Sequence, residues 1–352
     1  MRIVIATGTY PPEVSGQATF VADIQRALKE KQVDCSVVTY ADTNSTASSV
    51  VAVARTPWRY LAYFRALRRQ LNADSIIYAQ DLISSGIPAA FAKRRGVKMA
   101  IRIGGDFLWE KMVNRGSSSL PLRQYYEQPK NILERFILLL YRFVLRRADH
   151  IIFNTEWQQR LYIRQFGLPA NKTSVITNYE FQEEINQPQT GQQEIVYVGR
   201  LVPLKNVDKL IEAYQRTQSP YQLRIIGEGP DRPRLEKRSL NISNITFTGQ
   251  VPRGQLGEYL RRAAYIVLPS LTDLSPNVLL EASSYQVPVL LTTEVGLSEV
   301  IAQKYERIDP ASVETIAQGL DKMNRATTRR VVVLRRDSDK IATKHLEIFG
   351  HL

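Results

Sequence analysis

The sequence predicts an α/β protein of two domains, each a parallel sheet covered by helices. Three observations carry this. At 352 residues the chain is too long for one ordinary core and suits two domains of roughly 170 residues each. Apolar strand-like runs alternate with helical stretches in both halves, the βαβα order of a parallel sheet with both faces covered. Between the halves lies a polar stretch, Glu180 to Gln193 (EFQEEINQPQTGQQ), whose Pro188 and Gly191 mark it as a linker.

The elements follow in order. Arg2 to Thr7 reads as a strand that runs into the loop Gly8 to Gly16 (GTYPPEVSG), after which Phe20, Ile24 and Leu28 recur at helical spacing. Ser36 to Tyr40 is a second strand. Cys35 beside it reads as a small buried residue, and a lone cysteine leaves no disulfide within the chain, which fits a reducing cytoplasm. Ser75 to Ala79 and Lys98 to Ile103 are further strands, separated by a helix around Ile87 to Arg94; the latter strand ends in Gly104 to Glu110 (GGDFLWE). A long helix is expected over Ile132 to Arg147, then strands at His150 to Asn154 and Ser174 to Thr177. In the second half the expected strands are Glu194 to Val198, Gln222 to Ile226, Ile245 to Thr248, Tyr265 to Leu268 and Val287 to Leu291. Helices are expected at about Val207 to Thr217, Arg232 to Lys237, Gln255 to Ala264 and Asn277 to Ser284. The tail after Pro310 reads as helical and basic, with Asp337 to Asp339 at a helix start.

The net charge of +13 favours anionic partners. No helix-turn-helix, zinc-finger or RNA-binding signature accompanies it, so nucleic acid is not expected as a partner. The N-terminal MRIVIAT is too short for a signal peptide, and the longest apolar run, Phe136 to Leu145, is interrupted by Arg142 and far short of a span. The expected location is the cytoplasm. Arg55 to Arg69 (RTPWRYLAYFRALRR) and Arg135 to Arg147 (RFILLLYRFVLRR) mix arginines with aromatics. Such helices either lie peripherally on an anionic membrane surface or carry one core face and one solvated basic face.

The chemistry concentrates in Tyr265 to Tyr285 (YIVLPSLTDLSPNVLLEASSY). A buried strand is followed by a loop and then a helix, for which Ser275 is a suitable N-cap and Pro276 a suitable first residue. Asp273 precedes that helix; Glu281 lies within it in an apolar context, where an unpaired charge is costly. Free N–H groups for phosphate and carboxylates for hydroxyls suit a sugar nucleotide, although Asp273 could equally cap the helix and Glu281 bridge to a lysine. Arg200 and Lys205 follow the strand ending at Gly199 and could neutralise a diphosphate, or be solvated loop residues. The Gly227-Glu228-Gly229 loop brings the backbone close to something, or merely turns. Asp106, with Phe107 and Trp109 after it, suits either sugar recognition beside exposed aromatics or a helix N-cap. There is no Walker A sequence and no G-x-G-x-x-G in the first turn, which speaks against a dehydrogenase. His150, His345 and His351 are scattered, and no metal site is expected.

The order and spacing of GRLVPLKNVDKLIEA, IIGEGPDRPRL, ITFTGQV and LPSLTDLSPNVLLEASSYQVPVLLT resemble the C-terminal domain of GT-B fold retaining glycosyltransferases of family 4, over about the whole second half. The first half is similar more loosely, through TYPPEVSGQATFVADIQRAL and VITN. The resemblance implies two Rossmann-like β/α/β domains facing each other across a cleft: residues 1–179 on the acceptor side, a linker at 180–193, a donor-binding domain at 194–336, and a final helix, about 337–352, crossing back to the first. It implies that Arg200 and Lys205 hold the donor diphosphate, that Glu281 takes the ribose hydroxyls, and that Asp273, where the family usually has Glu, contacts the transferred sugar. The backbone of Leu274, Ser275, Pro276, Asn277 and Val278 would cradle phosphate and sugar. The turn from Gly249 to Val251 would meet the base, and Gly16 would let the first loop approach the phosphates. Gly199 and Gly227 join the donor-binding set. A His common in the family is absent where Gly104 stands, and Asp106 takes up part of that role. The implied activity is metal-free, retaining hexosyl transfer from a UDP- or GDP-sugar to a glycan or lipid-linked acceptor in surface polysaccharide biosynthesis, with no cofactor. The alternatives are an epimerase or hydrolase of sugar nucleotides on the same fold, and an inactive basic binding protein.

Overall fold

Parallel pairing dominates both sheets of the computed structural model, which describes residues 1–13, 15–40, 49–188, 194–252 and 254–352. The end of the expected linker, 189–193, and one residue of the first loop, 14, lie outside the described residues. The chain divides into two compact units. The first holds residues 1–108, 129–178 and 337–352; the second holds 109–128 and 179–336.

The first unit is built on seven parallel strands: β1 (Arg2–Ala6), β2 (Asp34–Tyr40), β3 (Val50–Val53), β4 (Ser75–Ala79), β5 (Lys98–Ile103), β6 (His150–Phe153) and β7 (Thr173–Val175). Their spatial order is β3-β2-β1-β4-β5-β6-β7. The central strands are buried along almost their whole length and mostly apolar, and β4 and β5 match the sequence reading residue for residue. The helix Gly16–Glu30 begins where Ser15 accepts the Ala18 N–H (3.0 Å), and it lays Phe20, Ile24 and Leu28 on the sheet. The helix Ser338–Gly350, capped by Asp337, joins the same cluster through Ile341, Ala342 and Phe349. Cys35 is buried there as well, and burial pushes its thiol up to about 12.

The second unit contains β8 (Glu180–Pro188), β9 (Glu194–Val198), β10 (Gln222–Ile226), β11 (Ile245–Gly249), β12 (Ala263–Leu268), β13 (Val289–Thr292), β14 (Glu306–Ile308) and β15 (Thr328–Arg335). Six of them form a parallel sheet in the order β11-β10-β9-β12-β13-β14. Side chains alternate across it: Ile195 and Tyr197 enter one apolar layer, with the helices Val207–Arg216 and Val313–Arg325, and Val196 enters the other, with the helix Val278–Ser284. The other two strands, β8 and β15, make an antiparallel ribbon. This corrects two expectations: the linker is largely strand, and the tail after Pro310 is not helical throughout. Both segments are strands because they pair with each other, a long-range partnership that the mostly polar β8 does not announce and that the short apolar run Val331–Leu334 of β15 signals only on one side.

Helices lie on both faces of each sheet, and the strand order reverses beside β1 in the first unit and beside β9 in the second. Each unit is thus Rossmann-like, and ligands of such sheets bind beyond the carboxyl ends of the two strands at the reversal. In the second unit those strands are β9 and β12.

His345 shows how closely the returning helix is fitted. It is fully buried; its Nδ1 faces the Ile341 carbonyl at 2.7 Å and its Nε2 the Tyr78 hydroxyl at 2.7 Å. A carbonyl only accepts, so Nδ1 carries the proton and the Tyr78 hydroxyl donates to Nε2. Burial first, and the Arg102 charge after it, hold the imidazole down to about 3, while the Ile341 carbonyl opposes them. The unfolded chain binds this proton near pH 6.5 and the folded chain does not, so stability is complete above that pH and falls as pH drops towards 3. Urea unfolding at pH 7.5 and 5.5 is expected to show a loss of about 1 kcal/mol from this group at the lower pH, and His345→Gln is expected to remove that increment.

Candidate active site

The loops after β9 and β12 leave neighbouring strands and run to opposite faces of the second sheet. The first, from Gly199 to Asn206, is laced to its neighbours beyond the strand ends. Gly199 N–H donates to the Ile226 carbonyl (3.0 Å), Leu201 N–H to that of Glu228 (2.8 Å), and Gly227 N–H to that of Gly249 (2.8 Å). The object that Gly227 approaches is therefore the protein's own backbone. Its φ is +138°, and a Cβ there would stand 1.9 Å from the Gly199 carbonyl oxygen. Gly249 ends β11, and Val251 after it packs partly against the apolar layer of the second face.

Within this loop Pro203–Lys205 makes one tight 3-10 turn, and Asn206 closes it in the left-handed conformation (φ 59°). Asn206 is buried. Its amide donates to the Pro269 carbonyl (3.0 Å), just beyond β12, and to the Pro310 carbonyl (2.9 Å), just beyond β14. Leu271 N–H donates to the Leu204 carbonyl (3.0 Å) alongside. These bonds carry Lys205 to Asp273, 68 positions away, and Nζ meets Oδ2 at 2.5 Å. The pair is mostly enclosed, with 22% and 11% of the two side chains exposed.

Asp273 is itself strapped in place. Its N–H donates to the Glu294 carbonyl (2.9 Å), its carbonyl accepts from Gly296 N–H (2.7 Å), and it forms an isolated parallel bridge with Val295. The chain is thereby held extended past β12, which corrects the expected helix start. Ser275 and Pro276 precede the helix, which spans Val278–Ser284 with Asn277 at its N-cap and no side-chain cap bond. Leu274 and Pro276 are buried, and Asn277 Oδ1 accepts from Arg336 Nη2 (2.5 Å). Glu281 lies on that helix and is part-exposed, so the apolar residues around it do not desolvate it fully; Leu279 and Ala282 are the ones that face the core.

The chemistry available follows from valence. An ammonium has three donors, and Lys205 spends one on Asp273. Asp273 Oδ2 accepts from Lys205 and from the Ser270 hydroxyl (3.3 Å), and Oδ1 has no hydrogen-bond partner among the described residues. Arg200 is exposed, and its guanidinium has no partner among the described residues. The Tyr197 phenol donates to the Arg200 carbonyl (3.1 Å). Burial holds that phenol well above its ordinary value, Asp273 pushes the same way and Arg200 opposes, which places it in the field of both charges. The site thus offers cationic donors and one free carboxylate oxygen at the reversal of strand order.

The first unit places its candidates separately. Gly16 is exposed at the start of the helix Gly16–Glu30. Asp106 is fully buried before the helix Phe107–Asn114, and its Oδ2 accepts the Tyr162 hydroxyl (2.7 Å). The expectation of exposed aromatics beside it is half right. Phe107 is exposed, but Trp109 is buried and donates its indole N–H to the Leu120 carbonyl (2.8 Å).

Sequence reasoning missed Asn206, the strap 294–296 and Thr272, whose hydroxyl accepts Leu122 N–H (2.9 Å). The signal for Asn206 was available in part, since Asn before a helix tolerates the left-handed region; its two carbonyl partners were not. Asn206→Ala removes both donors and leaves a Cβ residue with positive φ, so a loss of about 2–4 kcal/mol is expected in urea unfolding. Asn206→Asp, which puts an acceptor against two carbonyls, is expected to fare no better.

Comparison with known proteins bears on the family and the fold. A family model described as "Glycosyl transferase 4-like domain" matches residues 15–179, and one described as "Glycosyl transferases group 1" matches residues 178–332. TuaC of Bacillus subtilis (strain 168), a glycosyltransferase named for teichuronic acid biosynthesis, is 33% identical over 147 residues, 42% of this chain and 36% of TuaC. The chain thus spans about a third of the length of that relative. Glycogen synthase of Mycobacterium tuberculosis is 23% identical over 335 residues, 86% of this chain and 80% of that protein. Among solved structures, the lipopolysaccharide outer core galactosyltransferase WaaB superposes with a TM-score of 0.65 at 16% identity, covering 100% of both chains. HepE of Anabaena, solved in complex with UDP-glucose, gives 0.68 at 13% identity, again covering 100% of both. These likenesses are of fold. With the two family models tiling residues 15–332, the chain belongs to the GT-B glycosyltransferases of group 1, the family 4 type.

Proposed function

We propose that the chain transfers a hexose from a nucleotide-diphosphate sugar, with UDP or GDP as the nucleotide, to a glycan or lipid-linked acceptor in surface polysaccharide biosynthesis, at the cytoplasmic face of a membrane. The observation that carries this reading is the Lys205–Asp273 pair at the strand-order reversal, with the unpartnered Arg200 on the same loop as Lys205. Arg200 and the spare donors of Lys205 neutralise charge that grows on the departing diphosphate, an electrostatic role that calls for no metal. Asp273 Oδ1 accepts a hydroxyl of the transferred sugar, and Glu281 takes the ribose. The bond from the anomeric carbon to the phosphate oxygen breaks, a bond from that carbon to the acceptor oxygen forms on the same face, and the departing phosphate oxygen takes the acceptor proton. Configuration is retained. HepE, solved with UDP-glucose, supports UDP as the first nucleotide to test.

Calorimetric titration with UDP, GDP, ADP and dTDP, without metal, tests the reading. One of them is expected to bind in the micromolar range. Arg200→Ala is expected to weaken that binding by about tenfold or more, the worth of a charge-assisted hydrogen bond, without shifting the urea midpoint. No binding by any nucleotide would contradict the reading, and complete consumption of donor without acceptor would identify a hydrolase instead.

A further inference from the structure

Three helices of the first unit, Arg59–Gln70, Gly86–Ala92 and Ile132–Arg147, lie side by side, the middle one touching both others. Arg94 donates to the Leu71 carbonyl (3.1 Å), Arg147 to those of Ala90 (3.3 Å) and Lys93 (2.9 Å), and the Phe91 and Phe143 rings stand 5.1 Å apart. The helix Ile132–Arg147 buries Ile137, Tyr141, Val144 and Leu145. Its opposite face should be polar if it were only solvated. It is not: Ile132, Phe136 and Leu139, at i, i+4 and i+7, are 88%, 57% and 60% exposed. Between them stand exposed Arg135, Arg142 and Arg146. The helix's one carboxylate, Glu134, is buried in a capping box with Asn131. The other two helices carry no carboxylate at all, and exposed Trp58, Leu61 and Phe91 extend the apolar surface along them.

A second copy of this chain would meet that face with the same positive charge, and nucleic acid would satisfy the arginines but not the aliphatic row. An anionic bilayer satisfies both. We infer that this face docks on an anionic phospholipid bilayer, with Ile132, Phe136 and Leu139 entering the boundary between headgroups and acyl chains while Arg135, Arg142 and Arg146 meet lipid phosphates. The inference deepens the membrane-side reading above. It uses none of the donor-site residues, so nucleotide titration and vesicle binding fail independently.

The test is flotation of the full chain with phosphatidylcholine vesicles, with and without phosphatidylglycerol. The chain is expected to float only with the anionic vesicles. Phe136→Ser with Leu139→Ser, both on the outward face, is expected to cut binding about tenfold or more, and Arg142→Gln or Arg146→Gln about fivefold each, with UDP titration unchanged. Equal flotation on neutral vesicles, or variants that bind as well as the parent, would overturn the inference. So would the absence of flotation together with a dimer, or a nucleic-acid complex, that the double serine variant abolishes.

Discussion

One buried amide holds the candidate donor site together. Asn206 donates to the carbonyls of Pro269 and Pro310, and so fixes the loop after β9 against the loops after β12 and β14. Each of those carbonyls lies where a strand has ended and no ladder partner remains, so each needs a donor from elsewhere. The left-handed backbone at residue 206 both ends the 3-10 turn and starts the helix Val207–Arg216. That turn leaves Lys205 facing Asp273 rather than solvent. Without the clamp, only the Leu271–Leu204 backbone bond and the Lys205–Asp273 pair would, among the described residues, set the spacing of loops that run to opposite faces.

The charges then follow a simple economy. Lys205 and Asp273 neutralise each other in a mostly enclosed place, where either alone would be costly. Each keeps spare capacity: donors on the ammonium, one oxygen on the carboxylate. A ligand with both phosphate oxygens and hydroxyls fits such a pair better than a bare anion does, because a bare anion would face the carboxylate as well. Arg200, exposed and unpartnered among the described residues, adds the remaining positive charge. This favours a sugar nucleotide over inorganic phosphate.

Much of the fold was legible because the inner strands are dominated by apolar residues: β4, β5, β9 and β10 match the sequence reading without change, although Arg102 interrupts β5 and Arg224 interrupts β10. The misses have physical causes. The strands β3 and β14 are short edge strands of four and three residues, too brief for any period to show. The ribbon of β8 and β15 is defined by backbone pairing across a gap of about 150 positions, and its first strand is mostly polar. The helix after β12 starts late because the strap to residues 294–296 keeps the chain extended, and no local preference reveals that strap. At the site, residue type and position singled out Arg200, Lys205, Asp273 and Glu281, but the contact between Lys205 and Asp273 was not legible. Trp109 was misjudged as exposed because its carbonyl partner comes from a later turn.

The two proposed surfaces lie on different units: nucleotide binding on strand-end loops of the second, and membrane docking on an apolar, arginine-lined helix face of the first. The proposed donor site holds the nucleotide at the reversal between β9 and β12. A crystal structure of the chain with bound UDP tests it most directly. Diphosphate oxygens are expected within hydrogen-bonding distance of Arg200 and Lys205, with the Lys205–Asp273 pair intact. A nucleotide seated anywhere else, or a diphosphate touching neither cation, would contradict it.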